Sequence, residues 1–123
     1  MKEQEVVLRD FTTVEQSKIL SEFLPIKTAN MVYCYTKEGD KLISPIPTHL
    51  TSTPTNTFKY LYCWSLGALL NIIPYPTLGK HADETWSCAS WVEKVDPYFV
   101  KSCDSPIDAA FEMILKLHKQ KLL

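Results

Sequence analysis

The chain reads as one α+β domain spanning residues 1–123, with about three helices packed on a roughly four-stranded, mostly antiparallel sheet. The expected order is α-β-β-α-β-β-α. Three observations predict this class. Apolar residues recur at helical spacing in three separated stretches, each opened by a capping residue. Between them lie short runs rich in Tyr, Val, Trp and Thr, the residues that suit a pleated, half-buried surface. The connections are short and polar, which suits antiparallel neighbours.

Residues 1–10 are polar and then briefly apolar at Val6, Val7 and Leu8, so they read as a frayed tail or a short edge strand. Thr12 or Thr13 then caps a helix. Thr12 with Glu15, and Thr13 with Gln16, both fit the spacing of a capping box. The helix carries Val14, Ile19, Leu20, Phe23 and Leu24 and stops before Pro25. Ala29 to Thr36 reads as a strand, Lys37-Glu38-Gly39-Asp40 as a turn with Gly39 at positive φ, and Lys41 to Ile46 as the returning strand of a hairpin. Pro45 and Pro47 end its ladder or place it at an edge. The Thr/Pro-rich residues 47–57 read as a mobile loop. Phe58 to Tyr62 leads into the next helix.

That helix, within Cys63–Pro74, is the stretch around which the rest is expected to pack. Leu66, Leu69, Leu70 and Ile73 fall on one side of it. Ser65 is the N-cap and Pro74 the stop. Burying those four side chains contributes about 1.5–3 kcal/mol each as an upper value. Gly67 and Ala68 are small enough to let another element approach. Pro74 to Asp83 reads as irregular. Thr85 to Val95 contains a strand in which Trp86, Cys88, Ser90 and Val92 alternate with Ser87, Ala89, Trp91 and Glu93. Asp96-Pro97 turns the chain into a strand at Tyr98-Phe99-Val100. The last helix opens with Ser105 as N-cap, Pro106 at the first position and Asp108 in the first turn. Ile107, Ala110, Phe111, Ile114 and Leu117 form its stripe, and Lys116, His118, Lys119 and Lys121 complement the dipole at its end.

The net charge is −1, from 13 Lys and Arg against 14 Asp and Glu, so the chain lacks the basic excess of a nucleic-acid binder. The helix capped at Thr13 is followed by a strand rather than a recognition helix, which argues against a helix-turn-helix. No nucleic-acid or membrane partner is expected. No apolar run approaches the ~20 residues of a membrane span. Met1-Lys2-Glu3-Gln4-Glu5 is charged with no apolar core behind it, unlike a signal peptide. Cys34, Cys63, Cys88 and Cys103 form no C-x-x-C pair and lie mostly in apolar contexts, which suits small buried hydrophobes more than two disulfides. The expectation is a cytoplasmic protein with reduced thiols.

Four stretches carry a resemblance: Thr13-Val14-Glu15-Gln16-Ser17-Lys18, Thr28-Ala29-Asn30-Met31-Val32-Tyr33, the Cys63–Pro74 helix, and Ser105-Pro106-Ile107-Asp108-Ala109-Ala110-Phe111-Glu112-Met113. In that order the chain resembles a family of small uncharacterised proteins of gut anaerobic bacteria, often encoded in prophages and other mobile elements. The resemblance implies a phage-related accessory protein. The family has no established activity, so no catalytic residue is carried over.

The chemical constellations are sparse. Gly79-Lys80 lacks the earlier glycine of a phosphate loop, since Pro74 stands there. His81, Asp83 and Glu84 are the densest set of ligand types, and a metal site would need His49 or His118 from far away. A solvated loop is the simpler reading. A Cys88–His81 nucleophile pair conflicts with the strand pattern that should bury Cys88. No catalytic residue, metal ligand or cofactor is assigned. The aromatics Trp64, Trp86, Trp91, Tyr60, Tyr62, Tyr75 and Tyr98 are many for so small a domain; most are expected to fill the core and some to remain exposed, where Tyr and Trp favour interfaces. The leading expectation is therefore a non-enzymatic module that binds a protein partner or itself through Tyr75, Trp91 and Tyr62. The alternative is a small enzyme or ligand-binding domain using a cleft near His49 and His81, with Asp83 and Glu84 as further candidates.

Overall fold

The computed structural model describes residues 9–36, 38–39, 41–50, 59–92 and 96–123. Each of the three expected helices forms under its expected cap. Helix α1 spans Val14–Ser21. The capping box uses Thr13, not Thr12: Gln16 N donates to Thr13 Oγ1 and Thr13 N donates to Gln16 Oε1, each at 3.0 Å. The helix stops short of Leu24, and the chain turns through Glu22 and Phe23 into a 3₁₀ turn at Ile26–Thr28, because Pro25 disfavours helical geometry before it. Ser17 and Leu20 face inward, whereas Ile19, expected on the apolar stripe, is 41% exposed.

The single four-stranded sheet is corrected to two three-stranded antiparallel sheets. In the first, strand β1 (Met31–Tyr35) lies between β2 (Thr48–His49) and β3 (Lys59–Cys63). Of the predicted turn, Glu38 and Gly39 are described, with Gly39 at φ 80° and its N–H donating to the Thr36 carbonyl at 2.7 Å, and Lys37 and Asp40 lie outside the described residues. The predicted return strand is not formed. It survives as one bridge, Leu42 to Tyr35, and as Ile43 N bonding the Cys34 carbonyl at 2.9 Å. Pro45 and Pro47 have no N–H to continue the ladder. Pairing resumes where Thr48 meets Val32 and His49 meets Met31. The expected mobile loop therefore begins with a strand, and residues 51–57 of it lie outside the described residues. So do residues 1–8 of the expected frayed tail.

In the second sheet the order is β4 (Pro76–Lys80), β5 (Trp86–Ser90), β6 (Tyr98–Cys103). Strand β4 replaces the irregular stretch expected after Pro74. Helix α2, Leu66–Ile72, connects the two sheets, with Ala68 N donating to Ser65 Oγ at 3.1 Å. Helix α3, Pro106–Lys119, closes the chain under a Ser105 cap.

The main core is organised by α3 rather than α2. Helix α3 buries Pro106, Ile107, Ala109, Ala110, Phe111, Met113, Ile114 and Leu117, whereas α2 itself buries only Leu69. Leu20, Leu24, Trp64, Ile73 and Cys88 pack into the same cluster. A smaller cluster of Met31, Tyr33 and Cys63 lies on β1 and β3 beside Phe11 and Val14. Thr12 joins these parts. Its hydroxyl lies 2.7 Å from Ser17 Oγ and accepts from Trp64 N at 3.2 Å, and its carbonyl accepts from the Tyr33 hydroxyl at 2.8 Å. Trp64, once a candidate interface aromatic, is buried and donates from Nε1 to Thr28 Oγ1 at 2.9 Å. The first turn of α3 is tied to the N-terminal arm: Asp108 Oδ1 accepts from Arg9 at 2.7 Å and from Gln16 at 2.9 Å. Burial pushes the Asp108 carboxyl up, but the hydrogen bonds of Gln16, Ser105 and Arg9 and the Arg9 charge outweigh it and hold it below its usual range.

Candidate functional site

The exit from α2 builds the most exposed aromatic feature of the described residues. Ile73 is buried and leaves the helix in an extended conformation, as Pro74 requires of the residue before it. Tyr75 then takes φ 45°, in the left-handed region that a bulky side chain rarely enters. Hydrogen bonds hold the backbone there. Ser90 Oγ donates to the Pro74 carbonyl at 2.6 Å, Trp91 N donates to the Tyr75 carbonyl at 3.2 Å, and Pro76 pairs with Ser90 to start the β4–β5 ladder. The Tyr75 side chain is left 76% exposed. Such strain persists only where the surroundings over-determine it, and it concentrates at working surfaces.

Tyr75, Pro76, Thr77, Trp91 and Val92 line a surface groove of about 580 Å³. Trp91 is 42% exposed, and Val92 is half-buried against the main core. None of the five is Asp, Glu, Lys, Arg or His. Ala89 pairs with Phe99, and two-residue alternation puts Trp91 on the same side as Ala89. Exposed Phe99 thus extends the aromatic surface beyond the groove. Cys88 and Val100, of the opposite parity, face the core.

Of the sequence candidates, Tyr75 and Trp91 are brought together, and Tyr62 is not with them. Tyr62 lies on β3 opposite Val32, half-buried against the main core. His49 is exposed on β2 in the first sheet. His81, Asp83 and Glu84 form the tight turn between β4 and β5, and their polar atoms serve that turn. Asp83 Oδ1 accepts from Thr85 N at 3.1 Å and from Thr85 Oγ1 at 2.6 Å, which lowers its carboxyl below the usual range. Glu84 sits at φ 71° and pairs with Lys80 at 3.0 Å. Among the described residues no three His, Cys, Asp or Glu gather as a metal site would need. His118 stacks on Phe23, with ring centroids 3.8 Å apart.

All four cysteines are free. Cys88 is fully buried, and burial first, then neighbouring Cys103, pushes its thiol up to about 11. Cys63 is raised by burial as well. Thiols so held are poor nucleophiles, which removes the chemistry imagined for a Cys88–His81 pair.

Pro76, Thr77, Val92 and Phe99 were not anticipated in the site. Phe99 was legible, since Tyr98 and Val100 at the flanking positions point inward. The others depend on β4, whose Pro and Gly hide its strand character. Among the described residues no helix is long and apolar enough to cross a membrane. Compared with known proteins, the chain matches no family model, no curated protein and no solved structure.

Proposed function

We propose that the protein is a non-enzymatic interaction module that docks a protein partner, or a second copy of itself, through the groove around Tyr75 and Trp91. The observation that carries this is Tyr75 itself, exposed, held at positive φ by Ser90 and Trp91, and flanked by two prolines. A residue whose backbone is held before binding loses little backbone freedom on docking, and Tyr and Trp are the residues that most often anchor interfaces. The cytoplasmic and phage-related parts of this reading rest on the sequence, on its thiols and on its resemblance.

Tyr75 variants test it. Tyr75→Gly removes the strain of the left-handed backbone, about 1–2 kcal/mol, against the larger folding entropy of glycine. The net expectation is a stability equal to the parent or higher by up to about 1 kcal/mol in urea titration. Association should be lost in the same variant. It is followed by sedimentation over a range of concentrations and by recovery of partners from native cell extract, parent against variant. A drop above about 1.5 kcal/mol, with association intact, would mean that Tyr75 merely covers the end of α2.

A further inference from the structure

We draw no further inference here: the strongest candidate, the surface groove of Tyr75, Pro76, Thr77, Trp91 and Val92 beside β4, belongs to the site already described, and nothing in the structure shows what covers it.

Discussion

Truncating Phe111 to alanine is expected to cost about 3–5 kcal/mol of stability, the range for removing a buried aromatic and leaving a cavity behind it. Phe111 is 5% exposed and sits in the middle of α3. It belongs to the main core, whose other buried members include residues of α1, α2, β5 and α3 itself, so the cavity opens in a cluster that several elements share. Close packing leaves this cluster little room to collapse into the space. The adjacent Glu112 is exposed, and Glu112→Ala should change stability by less than about 0.5 kcal/mol. Urea titration of the two variants checks the contrast. A loss below about 1 kcal/mol for Phe111→Ala would mean that this face of α3 does not carry the core.

The second large effect is expected at Thr12. Valine has nearly the same shape, so Thr12→Val tests the hydroxyl rather than the packing. That hydroxyl is fully buried and serves both Ser17 Oγ and Trp64 N. Without it two polar groups remain in the interior, each costing about 1–3 kcal/mol, and the expected total is about 2–4 kcal/mol. The double variant Thr12→Val with Ser17→Ala should regain part of the loss, because the second change removes one of the orphaned groups. If the double variant is less stable than the single one, the hydroxyls are not partners in the way the geometry requires.

How much of this was legible in the sequence depended on how locally each feature is determined. The three helices were legible because their ends are set by single residues. Thr13, Ser65 and Ser105 cap, and Pro25 and Pro74 stop, using groups close in the chain. The sheets were less legible. Strand β4 contains both Pro76 and Gly79, and its identity comes from its register with β5, which is not a local property. The return strand after Gly39 failed for the opposite reason: its residues suit a strand, but Pro45 and Pro47 interrupt the ladder. The dominance of α3 was hidden because four aliphatics at helical spacing look alike whether a helix is half-covered or central. In the site, Tyr75 stood out through its flanking prolines, and Trp91 through the alternation of β5. Their meeting follows from the pairing of Pro76 with Ser90, which sequence spacing does not reveal. Tyr62 shares their composition but faces the main core.

Docking at the groove is tested most directly by amide chemical-shift mapping of isotope-labelled protein, first over a range of its own concentrations and then with native cell extract added. The predicted result is a saturable set of shifts concentrated at Tyr75, Thr77, Trp91 and Val92, with Pro76 silent because it has no amide proton. Shifts concentrated instead at His49 or along the His81–Glu84 turn, or the absence of any shift at the groove, would contradict it.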